Sequence, residues 1–144
     1  MTQTDKNLLL KDLCARLPYG VKAYIKNWSN LSHKYYEGVY TVKSVDPSLN
    51  QIYGTKENGS VEIILGNSDY FIQPYLFPLS SMTEEQSKEL DEIDPEFYSL
   101  ICENGDKYVS MDVRGYDWLN ENHFDYRGLI EKGLAIDATG LNIY

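Results

Sequence analysis

The polar side chains best suited to chemistry lie close together near the end of the chain, between positions 117 and 125. Asp117 and Glu121 are four residues apart, so a helix would place both carboxylates on one face. With His123 and Asp125 just beyond, the group could bind a divalent cation or supply an acid and a base, which predicts a metal-dependent hydrolase or nuclease as an alternative function. A simpler interpretation is favoured, in which Asp117 caps the helix and Glu121 faces solvent. His123 or Asp125 then hydrogen-bonds the backbone that follows the helix.

Large aromatic side chains alternate with these polar residues. Trp118 and Tyr126 belong to the same segment, and Tyr75 supplies a further ring from the middle of the chain. Tyrosine accounts for 13 of the 144 residues, and tyrosine and tryptophan are efficient contact residues at protein interfaces. The favoured hypothesis is therefore a non-enzymatic module that binds another protein through an acidic, Tyr/Trp-rich patch. Its predicted members are the rings of Tyr75, Trp118, His123 and Tyr126, with Asp117, Glu121 and Asp125 as an acidic rim.

The charge of the chain is acidic, with 13 Lys and Arg against 22 Asp and Glu and a formal charge of −9. Nucleic-acid backbones are held by clustered Lys and Arg, so this composition argues against a nucleic-acid partner. Weak binding to a single strand is a further alternative, because rings on neighbouring strands could stack on bases. The rings concerned are those of Tyr24, Tyr36, Tyr40, Tyr53 and Tyr70.

The common sequence signatures of enzymes and cofactor sites are missing from the chain. It contains no GxxxxGK[ST] loop, no GxGxxG, no GxSxG turn and no HExxH pair. Its two cysteines, Cys14 and Cys102, lack CxxC spacing and are expected to be buried thiols. The sequence therefore predicts no cofactor and no metal.

The apolar segment near the start of the chain is short. Three leucines at positions 8–10 are followed at once by Lys11 and Asp12. The segment is too short for a signal-peptide core or a membrane span. We expect a cytoplasmic protein with no membrane association.

Apolar periodicity predicts the elements that must position these side chains. Leucines recur at every fourth position from Leu9, which predicts a helix over 5–17 capped by Thr4 or Asp5. Alternating and β-branched stretches then predict short strands with tight turns between them. These strands cover 21–26, 36–45, 51–54, 61–65 and 70–72. Such a run is typical of an antiparallel meander, curled into a small, partly open barrel.

The middle of the chain is predicted to leave the sheet and form a helix. Residues 74–82 contain two prolines, which predicts a crossing segment outside any sheet or helix. Thr83, with Gln86 three residues later, predicts a capped helix over 84–93. Residues 96–113 fit a hairpin better than an extension of that helix.

The last third of the chain is predicted to hold short helices, one from Asp117 and one around 129–132. No linker or repeat divides the sequence, so residues 1–144 are expected to form one domain. The predicted fold class is α+β. It combines a small curled antiparallel sheet, an N-terminal helix and short C-terminal helices.

Three segments of the chain resemble those of one protein family. They are LLLKDLCARLPYGVK near the start, IQPYLFPLSSMTEEQ in the middle and YDWLNENHFDYRGLIEKGLAIDATG near the end. The family comprises short uncharacterised proteins of gut bacteria and their prophages. The resemblance implies an accessory protein of a mobile element or its host, and it brings no catalytic residue or cofactor with it. Where the family often has arginine this chain has Phe77, which removes a positive charge.

Overall fold

The computed structural model describes residues 1–29, 33–46, 48, 51–57, 59, 61–65, 71–95 and 113–144. It confirms the predicted α+β class, with an N-terminal helix, a sheet that does not close and short helices in the second half. Cys102, Tyr70 and the hairpin predicted over 96–113 lie outside the described residues, apart from Val113. No helix within these ranges is long and apolar enough to cross a membrane.

Helix α1 covers Gln3–Arg16 and begins two residues before its predicted start. Its cap is Thr2, not Thr4 or Asp5. The reason is a capping box, in which the Asp5 carboxylate accepts the Thr2 N–H while the Thr2 hydroxyl accepts the Asp5 N–H.

The prediction that Cys14 is a buried thiol was wrong. Cys14 is exposed, because the helix buries the face that carries Leu9 and Leu13. A 3₁₀ turn over Leu17–Tyr19 follows the helix.

Five strands form the antiparallel part of the sheet. They are β1 (Lys22–Ser29), β2 (Lys34–Asp46), β3 (Gln51–Thr55), β4 (Val61–Leu65) and β5 (Phe71–Pro78), in the spatial order β4-β3-β2-β1-β5. The first pair is longer than predicted, because β1 continues past Asn27 and places Trp28 opposite Tyr35 of β2. A register shift between Val42 and Ser44 bends β2, as bulges do.

Strand β5 shows that the prediction of a non-sheet segment over 74–82 was wrong for its first five residues. The Val21 carbonyl accepts the Val42 N–H, so the backbone groups of Val21 point toward β2. Those of Ala23, two residues later, point toward the same edge. Pro74 lies opposite Ala23 and makes no ladder hydrogen bond with β1. A proline without an N–H is tolerated at such a position.

Two short strands make the sheet mixed instead of wholly antiparallel. Strand β6 covers Phe124–Asp125 and strand β7 covers Ile136–Asp137. Both pair in parallel with the second half of β5. Neither was predicted, since two residues are too few to show a period.

Within the ranges that the structure describes, two helices pack in the second half of the chain. Helix α2 covers Glu84–Ile93 and begins with the predicted capping box between Thr83 and Gln86. Helix α3 covers Val113–Glu121, so it begins four residues before the predicted start at Asp117. Asp117 therefore lies inside the helix and does not cap it, contrary to the simpler interpretation.

Among the described residues, most of the buried apolar side chains belong to three clusters. The first joins α1 to one face of the sheet and contains Leu9, Leu13, Val21, Ala23, Ile25, Tyr40, Val42, Ile52 and Ile72. The second joins α2, α3 and β6 and contains Leu90, Trp118, Leu119, Phe124 and Tyr126. The third contains Leu76, Leu129, Leu134 and Ala135. The segment predicted to bind a partner thus also builds much of the core.

Candidate functional site

Two aromatic members of the predicted patch lie in the second core cluster. Trp118 is 7% exposed, stacks on Phe124 with ring centroids 5.7 Å apart, and donates its Nε1–H to the Glu89 carboxylate at 3.2 Å. Tyr126 is 5% exposed, and its hydroxyl donates to Oδ1 of Asn120 at 3.0 Å. Burial raises the pKa of the Tyr126 hydroxyl. Both rings therefore offer little accessible area to a partner.

Tyr75 is also buried, and its carbonyl makes a contact that sequence reasoning missed. The Tyr144 hydroxyl donates to the Tyr75 carbonyl at 2.8 Å and accepts the Lys22 N–H at 3.0 Å. The ladder between β1 and β5 ends one residue before this point, so the hydroxyl bridges the two strands where they separate. Nζ of Lys22 holds the same tail by donating to the Ile143 carbonyl at 2.7 Å. Tyr144 is 41% exposed as a whole, but its hydroxyl lies between the two strands, and burial raises the pKa of this hydroxyl to about 12.

His123 is buried in an unusual backbone conformation. Its φ is 60°, and its ring stacks on that of Tyr144 with centroids 3.7 Å apart and planes 10° apart. In the part of the chain that the structure describes, its buried Nδ1 has no hydrogen-bond partner. Burial, assisted by the positive charge of Arg16, lowers the pKa of His123 to about 4. The imidazole is therefore neutral near pH 7, and none of the described carboxylates hydrogen-bonds its Nδ1 as commonly happens at a catalytic histidine.

Asp125 is buried and uses its carboxylate to organise the backbone. The carboxylate accepts the N–H groups of Arg127, Leu129 and Ile130 at 3.3, 3.0 and 2.8 Å. These hydrogen bonds hold a series of turns where a helix around 129–132 was predicted. This is the role that the simpler interpretation assigns to Asp125.

The two remaining carboxylates of the predicted site lie on the surface of α3. Asp117 and Glu121 are both exposed. Asp117 lines an open hollow of about 690 Å³ with Tyr126, and Lys11 of α1 lines it as well. Across the described ranges, no group of three or more His, Cys, Asp or Glu side chains comes together in a way that could hold a metal ion.

A buried ion network, also missed from the sequence, joins α1 to the segment after α3. Asp12 and Arg16 are fully buried and share two hydrogen bonds of 2.8 and 3.1 Å. The Arg127 guanidinium donates to the same carboxylate at 2.7 Å, and Arg16 donates to the Phe124 carbonyl at 2.7 Å. The signal was present in the sequence, because Asp12 and Arg16 are four residues apart within the apolar stripe of α1.

Three exposed aromatic side chains of the described residues lie elsewhere, on the face of the sheet opposite the first core cluster, whereas Tyr144, 41% exposed, stacks on His123. Trp28 and Tyr35 face each other across β1 and β2 and are 51% and 50% exposed. Phe71, 42% exposed, lies opposite Lys26, the residue on β1 that precedes Trp28 on this face. The Tyr24 ring meets Phe71 edge-on, with centroids 6.4 Å apart. We name this surface, made of Tyr24, Trp28, Tyr35 and Phe71, the aromatic face.

Polar contacts order the rings of the aromatic face. The Tyr24 hydroxyl donates to the Glu37 carboxylate, and this hydrogen bond raises the pKa of the hydroxyl. Lys26 hydrogen-bonds to Tyr35, which raises the pKa of the lysine. The sequence contained a signal for this surface, since the alternation of Lys22, Tyr24 and Lys26 continues to Trp28.

The tyrosines considered for base stacking do not share one surface. Tyr24 belongs to the aromatic face, whereas Tyr40 is fully buried in the first core cluster. Tyr36 and Tyr53 are half-buried. The exposed rings are mostly ones that the sequence analysis did not select.

Comparisons with known proteins give no match, whether with protein-family models, curated proteins or solved structures. The function is therefore inferred from the geometry and chemistry of this chain. Its α3 region is chiefly buried, whereas its aromatic face is open to solvent.

Proposed function

We propose that this protein is a non-enzymatic module that binds another protein through the aromatic face. One observation carries the proposal, namely the exposure of Trp28, Tyr35 and Phe71 together on one surface of the sheet. Such side chains present roughly 150–250 Å² each when fully accessible, so about half of that area is available here. Contiguous apolar surface of this kind commonly marks an interaction site, and tryptophan and tyrosine often dominate binding energy.

The aromatic face is better suited to a partner than the patch predicted around α3. Trp118 and Tyr126 pack inside the second core cluster, and Asp125 is engaged with three backbone N–H groups. Asp117 and Glu121 remain exposed and supply acidic charge at the surface. They support solubility or a charged rim, whereas a buried ring cannot act as an anchor.

The polar groups around α3 give little support to catalysis. A histidine whose pKa is about 4 is a poor base near neutral pH. The Asp125 oxygens already accept hydrogen bonds from the protein itself. The cytoplasmic location, and the accessory role implied by the family resemblance, stay predictions.

The test is a pull-down with the tagged protein from a bacterial lysate, with the double variant Trp28→Ser/Phe71→Ser. The matched control is Val113→Ser, which changes an apolar side chain that is 74% exposed on α3. Thermal melts check that all three proteins fold. We expect one protein to be enriched by the wild type and by the control and lost with the double variant.

Equal capture of the same proteins by the double variant would overturn the proposal. Eluates are also compared with and without nuclease treatment. Recovery of nucleic acid alone, lost with the double variant, would replace protein binding by the single-strand alternative.

A further inference from the structure

Strand β2 is longer than the strand on one side of it, and part of one edge is left open. Strand β1 pairs with β2 over residues 34–41. Strand β3 pairs with β2 only over residues 41–46. Within the ranges that the structure describes, no strand lies beside residues 34–40 on the β3 side.

The hydrogen bonding of β2 shows which backbone groups face this open edge. The Val42 N–H donates to the Val21 carbonyl at 2.9 Å, so the backbone groups of Val42 point toward β1. Backbone groups of successive residues point to opposite edges of a strand. Those of Tyr35, Glu37 and Val39 therefore point to the open edge. They form a row of alternating donors and acceptors with the spacing of a strand. At the Val39 end of this edge, Lys56 and Glu57 from the turn after β3 line a hollow with Glu37 and Val39.

We propose that this open edge binds an extended peptide segment of another protein, which adds to the sheet as an antiparallel strand beside β2. The inference rests on the proposed binding function and specifies how the partner is held. Only an extended main chain can match a row of N–H and C=O groups along a strand, and exposed edges are known templates for such addition. Tyr35 belongs to both surfaces, so the added strand would border the aromatic face.

Charge indicates that the added strand comes from a different protein and not from a second copy of this chain. Two copies paired symmetrically about Glu37 would place one Glu37 carboxylate opposite the other, and like charges directly opposite are destabilising. Each copy also has a formal charge of −9. Glu37 already accepts a hydrogen bond from Tyr24 and lies opposite Lys26 on β1, and a partner with Lys or Arg on the other side of Glu37 adds a second favourable pair. Apolar side chains opposite Tyr35 and Val39 would extend the apolar surface of the aromatic face.

A peptide built to this pattern provides the direct test. The probe is Thr-Val-Thr-Lys-Thr-Val-Thr, whose Val, Lys and Val side chains share one face of a strand. Binding is followed by the amide chemical shifts of the isotope-labelled full chain. We expect saturable shifts and slower hydrogen exchange at Tyr35, Glu37 and Val39. The absence of saturable shifts at about 1 mM peptide would overturn the proposal.

Two variants test the two parts of the recognition separately. Val39→Pro removes an N–H that faces the open edge, where proline is tolerated, and is expected to weaken probe binding at least about tenfold. Glu37→Lys leaves the backbone unchanged and is expected to weaken binding about fivefold. It should also reverse the preference in favour of a probe with Glu in place of Lys. Unchanged probe binding by both variants would overturn the proposal.

The outcomes separate this inference from the proposed function. If Trp28→Ser/Phe71→Ser loses the captured protein while Val39→Pro and Glu37→Lys retain it, the proposed function stands and strand addition is overturned. If all these variants retain it, both are overturned. Loss of capture in folded Val39→Pro together with the predicted probe shifts supports both.

Discussion

The ion network around Arg16 is buried, whereas the aromatic face, which also carries a basic side chain, is exposed to solvent. Arg16 is fully buried, and its guanidinium donates to Asp12 and to the Leu119 and Phe124 carbonyls. On the aromatic face, Trp28 is half exposed and Lys26 lies at the surface. The comparison teaches that residue type alone does not identify a binding surface. What matters is whether another element covers the residue.

The two tryptophans make the same comparison within one residue type. Trp118 is covered because α3 turns it toward α2 and Phe124. Trp28 is accessible because β1 alternates its side chains, and the residues on its other face take the contacts with α1. The network region is therefore removed from water, whereas the aromatic face remains accessible to solvent.

The largest expected change in the free energy of unfolding is that of Asp12→Ala, in the buried network. The change leaves Arg16 buried without its carboxylate and also removes the ion pair to Arg127. Breaking one side of a buried ion pair costs about 3–5 kcal/mol, and we expect a loss of that size in the free energy of unfolding. Urea denaturation measures it. Asp117→Ala, at an exposed carboxylate, is the control and should stay within about 0.5 kcal/mol. A loss below about 1 kcal/mol for Asp12→Ala would contradict the role of the network.

The second expected effect is a pH-dependent stability that comes from the buried His123. Its pKa in the folded protein is about 4, below the ordinary value of 6.5, so the unfolded chain binds a proton more readily between these values. The stability from the neutral buried ring is fully present above about pH 6.5 and is lost as pH falls toward about 4. The full loss is about 3 kcal/mol, measured by urea denaturation across this range.

The two histidines of the chain provide a matched control for this pH dependence. His33 is exposed and has a φ of 50°, close to that of His123. Asparagine tolerates this conformation. His123→Asn should therefore flatten the stability profile between about pH 4 and 6.5, whereas His33→Asn should leave it unchanged. An equal slope in both variants would show that another group titrates.

The smallest expected effect is that of Tyr144→Phe. The change removes the hydroxyl that joins the Lys22 N–H to the Tyr75 carbonyl and keeps the ring on His123. We expect a loss of about 1 kcal/mol in the free energy of unfolding and faster hydrogen exchange at the Lys22 amide. Tyr35→Phe on the aromatic face is the control, with less than about 0.5 kcal/mol expected. Identical exchange in both variants would show that the bridge does not hold the strands.

Most elements were predictable because their signals are local. The leucine repeat of α1, the capping box at Thr83 and the alternation in β1 each act over a few residues. The misses have other causes. Pro74 predicts that no strand forms there, but it is tolerated in β5 because its position opposite Ala23 needs no N–H toward β1. Strands β6 and β7 are too short to show a pattern.

The candidate site was much less predictable than the fold. The hydrogen bond from Trp118 reaches Glu89, which is 29 positions away, and Arg16 reaches Phe124 across 108 positions. No periodicity relates residues so far apart. The aromatic face was missed for a related reason, since Phe71 joins Trp28 only through the pairing of β5 with β1.

The sequence by itself determined the acidic charge, the α+β class and the positions of α1, α2 and most strands. These follow from composition, apolar period and capping, which depend on neighbouring residues alone. Only the tertiary structure decided that the rings around α3 are buried and that those of the aromatic face are open. Burial depends on which distant elements pack together, because a side chain is removed from water only when another part of the chain covers it.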